Sequence, residues 1–275
     1  TVIPLDSTEG MDKITTTEKL TTPYFSDGAT DLLAVNIVSS SLTDTNENYF
    51  FGISHKDTAT TEEFNVTFGS LNGYGASTPT NKKARTEAIY KQFSNLLLAP
   101  TEVTGGFIIS DAGSAGVVTG RDEEIYVMTS RRSNTKDRLN KGNWTIVLSG
   151  SLSAAVPAGA PILSLTDDSV NKTPTATPAG DRYNIVSGSD GTVVRAATEK
   201  TYGFYYPSAG VMVFSEGELS ASIPGAFDST HTVAFNSASQ AGLGVPHTTT
   251  NSKNALRFIN CLTSVGDANG TGASL

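Results

Sequence analysis

The residues of this chain that could do chemistry are three histidines, a lone Cys261 and a few runs of carboxylates. A zinc site needs His or Cys ligands at short, regular spacing. His55, His231 and His247 stand at no such spacing from one another or from Cys261, so they read as surface or turn residues. Gly113-Ser114-Ala115-Gly116 approaches the G-x-S-x-G elbow that presents a nucleophilic serine on a strand-to-helix turn. Ala112 stands where the first glycine belongs, and the segment reads as a loop. Asp167-Asp168, Asp122-Glu123-Glu124 and Glu62-Glu63 are the adjacent carboxylates. General acid–base work needs two carboxyls facing one site, whereas neighbours along a strand point to opposite faces. Solvated edges or turn caps account for them. A hydrolase would have to draw two or more of Asp111, Glu123, Asp167, Asp168 and His231 into one cleft. Asp267-Ala268-Asn269-Gly270 opens like a calcium loop but lacks the third ligand position and the closing Glu. There is no phosphate-binding or dinucleotide fingerprint. Asn65-Val66-Thr67 and Asn143-Trp144-Thr145 match glycosylation acceptors, yet both fall in expected strands. The expectation is a protein that is not an enzyme and takes no metal or cofactor.

Composition narrows the classes further. Of 275 residues, 37% are hydrophobic and only 17% charged, with a net charge of −8 and a pI near 4.9. Ordinary globular chains have about 45–50% and 25%. Thr, Ser, Asn and Gly fill the difference. Nucleic acid is not an expected partner, because phosphate neutralisation needs clustered cations and these are mostly scattered. One cluster exists: Arg131-Arg132 with Lys136, Arg138 and Lys141. It suits an acidic patch on a partner subunit, or a solvated loop balancing Asp122, Glu123 and Glu124. No apolar run approaches the roughly 20 residues of a membrane span. Twelve Phe and nine Tyr supply apolar surface for a core. Cys261, being alone, can form no disulfide within the chain. The opening Thr1-Val2-Ile3-Pro4-Leu5-Asp6 resembles no secretory signal, and the absent initiator Met fits either a processed chain or a segment of a longer one.

The elements that must position these residues are mostly strands. Leu32–Val38, Asn48–Ser54 and Glu63–Phe68 are strand candidates, the last with Phe64, Val66 and Phe68 on one face. One helix is expected at 81–98, with Ile89, Phe93, Leu96 and Leu97 as its apolar stripe and Pro100 closing it. Beyond residue 104, strands are expected at 106–109, 124–128, 144–148, 185–186 and 210–214. Trp144, Ile146 and Leu148 would share one strongly apolar face. Residues 1–30, 151–161, 171–180 and 263–275 read as arms or loops. The fold class is therefore mainly β, sandwich-like or two-layered, with α+β character toward the N-terminus. The expected division is 1–104, an arm plus α+β region; 105–262, a β-rich domain; and 263–275, a tail.

Four segments in order are more specific than any of these motifs. They are Ser130-Arg131-Arg132 with Asp137–Leu148; Leu165-Thr166-Asp167-Asp168-Ser169; Tyr183–Gly191; and Tyr202–Phe214. Together they resemble a module of large virion structural proteins from contractile-tailed phages, notably those infecting cyanobacteria. In that family a Gly-Asn-Trp strand, an Asp-Asp-Ser turn, a Val-Ser-Gly turn and a Tyr-Gly-x-x-Tyr-Pro-x-x-Gly strand pair follow one another. The resemblance spans about residues 120–262. It implies a non-enzymatic tail or baseplate subunit of the virion, assembled in the host cytoplasm with other virion proteins and copies of itself. It supplies no catalytic residues. Arg131, Arg132, Lys136 and Arg138, with Tyr205 and Tyr206, are the candidate interface residues, core packing being the competing reading for the tyrosines. The alternatives are a receptor-binding fibre module touching host glycan through surface Tyr and Asn, and a cell-wall hydrolase.

Overall fold

The computed structural model describes residues 36–39, 49–54, 62–74, 84–102, 105–109, 120–130, 138–149, 162–194, 200–220, 255 and 258. Strands β1 (Asn36–Ser39), β2 (Phe50–Ser54) and β3 (Glu62–Ser70) form a meander, and helix α1 (Arg85–Leu97) follows. Then come β4 (Glu124–Ser130), β5 (Ile146–Ser149), β6 (Ile162–Asp167), β7 (Thr175–Thr177), β8 (Gly180–Ser189), β9 (Thr192–Val193), β10 (Thr201–Tyr206), β11 (Val211–Ser215) and the short α2 (Glu216–Ser220). All pair antiparallel in one sheet of order β1-β2-β3-β4-β11-β10-β8-β6-β5, curled into a half-barrel, with β7 and β9 on the two ends of β8. The mainly β expectation holds. The residue-104 boundary falls between β3 and β4, which pair from Phe64↔Ser130 to Ser70↔Glu124, so the sheet runs across it.

Both faces of the central strands are buried. In β4, Tyr126 and Met128 face one core with Phe68, Phe214 and Tyr205, while Ile125 and Val127 face the other with Val213 and Phe204. A continuous apolar run of this kind needs a covering layer on each side. On the second face that layer is α1 with residues 105–109, in place of another sheet. On the first face Phe258 stacks on Tyr126 at 5.3 Å and lies 4.9 Å from Phe214. At Tyr202 the pairing of β10 with β8 slips by one residue, so Tyr202 enters the first core and Phe204 the second. A bulge of this kind re-aims side chains that strict alternation would place together.

Three local expectations change. The buried face of α1 is Thr86, Tyr90, Ser94 and Leu97, whereas Leu96 is 54% exposed and Ile89 and Phe93 lie at the flanks. The cause is Gly69: a Cβ there would lie 3.1 Å from the Tyr90 backbone nitrogen, so helix and strand meet backbone to backbone at that point. Small residues one turn either side of Tyr90 fit that approach. Residues 106–109 join no ladder, because their backbone groups bond elsewhere. Phe107 N donates to Tyr90 Oη, Ile109 N to the Asp122 carboxylate, and Asp122 N to Phe107 O. Finally, 171–180 is no loop or arm: Thr175–Thr177 pairs with Gly180–Arg182 of β8 as a hairpin, with Pro178 setting the turn.

Candidate functional site

The described parts of the segments that carry the resemblance fold against one another in the β11-to-β5 half of the sheet. Asp167 is fully buried and its Oδ2 accepts the Gly142 N–H at 2.8 Å, while Oδ1 accepts Ser169 N at 3.0 Å. Asp168 points away from it and is also buried. Its Oδ1 accepts Asn184 N and its Oδ2 accepts Asn184 Nδ2, both at 2.9 Å, with Lys172 Nζ at 3.5 Å. Thr166 joins two further turns, donating to Trp144 O and accepting from Gly191 N. Gly191 and Gly142 pack backbone to backbone, a Cβ on Gly191 falling 2.7 Å from Gly142 O. Trp144 meets Tyr205 edge-on at 5.4 Å, and the Tyr205 hydroxyl donates to Asn140 O. Leu139 N donates to Pro207 O, tying the loop to the β10–β11 turn. The Asp-Asp-Ser, Gly-Asn-Trp and Ser-Asp-Gly turns thus form one interlocked block.

Burial sets the chemistry of its tyrosines. Tyr205 is fully buried, and desolvation, with Asp167 nearby, pushes its phenol well above the ordinary value. Tyr206 moves in the same direction through burial, Arg182 opposing. Arg182 lies 4.3 Å over the Phe204 ring and pairs with Glu102 at 2.5 Å, while Glu102 also accepts Ala99 N. That clamp fastens the segment after α1 to β8. Tyr90 is raised to about 12, again by burial first, while it donates to Asp122 O at 2.6 Å. Held neutral, Tyr90 and Tyr205 act as hydrogen-bond donors and all three rings as packing surface, the Tyr206 hydroxyl being buried without a hydrogen-bond partner among the described residues.

Tyr205 and Tyr206 therefore correct the interface expectation, since both are 0% exposed and belong to the core. Arg138 is exposed beside the block; Arg131, Arg132 and Lys136 lie outside the described residues. So do Asp111, His55, His231, His247, Cys261 and the arms 1–30, 151–161 and 263–275. Of the carboxylates a hydrolase would need, Asp167 and Asp168 diverge and are spent on N–H groups. Glu123 is exposed at the start of β4, four strands from β6, bonded to Asn72. Among the described residues no group of His, Cys, Asp and Glu is placed to hold a metal ion, and no helix is long and apolar enough to cross a membrane. The bridging roles of Thr166 and Arg182 are not legible from motifs, because each acts through partners about 20 or 80 residues away in sequence. Comparison with protein families, curated proteins and solved structures finds no match to this chain.

Proposed function

We propose that this chain is a structural subunit of a phage virion, of tail or baseplate type, that works by shape and association. The observation that carries the reading is that the described parts of the four segments resembling the virion module close on one another as a single block. Residue types that would look catalytic in isolation, Asp167 and Asp168 above all, are there to hold turns together. The strand β5 next to that block pairs with β6 on one side only among the described residues, which leaves an edge suited to strand addition. A glycan-binding module would instead present an aromatic patch. Among the described aromatics Tyr74, at 38%, is the exposed one.

Light scattering over a wide concentration range, with hydrogen exchange on the same samples, tests the proposal. The expected result is concentration-dependent growth into larger species, with new protection at the β5 edge. A chain that stays monomeric at every concentration, with exchange in β5 unchanged, overturns it.

A further inference from the structure

We infer that Asn72-Gly73 is a self-modifying latch between β3 and β4, a site where the chain deamidates itself at a rate set by Glu123. Asn72 is exposed in the turn that follows β3. Its Nδ2 donates to Glu123 Oε2 at 2.8 Å, and Leu71 N donates to Glu123 O at 2.7 Å, so the turn is fastened to the start of β4 twice. The next residue is Gly73, at φ 77; it is buried against Ala84 in the closed turn, but it carries no side chain to hinder its backbone nitrogen once the turn opens. That nitrogen is the nucleophile. It loses its proton to solvent base and bonds to Asn72 Cγ; the Cγ–Nδ2 bond breaks and Nδ2 leaves as ammonia after taking a proton. Water then opens the resulting five-membered ring, at Cγ to give aspartate or at the Asn72 carbonyl carbon to give isoaspartate.

Two bonds restrain the first step. Gly73 N donates to Ser70 O at 3.1 Å, and the Glu123 bond holds the carboxamide in place. Reaction needs both released, so its rate follows local opening of this turn. Completion replaces a donor by a carboxylate facing Glu123, and attraction across the joint becomes like-charge repulsion. The latch therefore changes irreversibly from closed to open.

The test is peptide mapping of the full chain during prolonged incubation in mildly alkaline buffer, beside Glu123→Ala. The wild type is expected to convert slowly at Asn72, and E123A roughly three- to tenfold faster, the weight of one exposed hydrogen bond. The chain unfolded in urea should convert fastest. Asn72→Asp, which installs the product directly, is expected to increase hydrogen exchange at Leu71 and nearby amides. Equal rates in wild type and E123A overturn the inference, as does an Asn72 that stays intact in both while converting in urea.

Discussion

Asp168 and Tyr90 show how single side chains carry this fold. Asp168 satisfies the backbone and side-chain N–H groups of Asn184, so Asp168→Ala would leave part-buried donors without that partner. Losing them costs about 1–3 kcal/mol, which urea unfolding would register as a lower midpoint at unchanged slope. Tyr90, Tyr205 and Tyr206 are held neutral in the folded chain, with Tyr90 raised to about 12. In the unfolded chain each phenol ionises near pH 10. Above that pH the unfolded state binds fewer protons than the folded one, so stability is intact below about pH 10 and falls as pH rises toward 12. Tyrosinate absorbance should accordingly appear in two stages, exposed rings first and the buried three together with unfolding. Tyr90→Phe should flatten that alkaline fall, and should lower stability at neutral pH through the lost bonds to Asp122 and Phe107.

Among the elements, those that sequence made legible are the ones whose pattern is local. Phe64, Val66 and Phe68 alternate into one core, and so do Ile146 and Leu148 of β5, with Trp144 just ahead of that strand. The rotation of α1 was not legible, because a glycine on the preceding strand, β3, decides which helix residues fit against it. Nor was the 106–109 segment, whose strand-like residues find partners in Tyr90 and Asp122 before any ladder can form. The candidate site divides in the same way. The Asp-Asp and Gly-Asn-Trp turns were visible as motifs, but their mutual contacts depend on pairing between strands far apart in sequence. Gly191 makes the point testable. At φ 73 and with Gly142 O 2.7 Å from any Cβ, Gly191→Ala combines backbone strain with a collision. Left-handed strain alone costs roughly 1–2 kcal/mol, so a loss of at least that size is expected in thermal unfolding. An unchanged melting temperature would mean that the two turns can part without consequence.

For the whole molecule, association through sheet edges would place neighbours beyond β5, so exchange protection gained there on assembly is the expected signature of that mode. Load passed through such contacts would pull the sheet across its strands. The ladders then act as links in series, and on backbone pairing alone the shortest would give first. β3 and β4 share seven paired positions, whereas β6 and β8 share three, Leu165↔Ser187 to Asp167↔Ile185. That narrow seam is where Asp168 grips Asn184 and Thr166 bridges Trp144 and Gly191. The side-chain stitching lies across the weakest weld of the plate, and a sheet pulled from its rims should tear elsewhere until those stitches are cut.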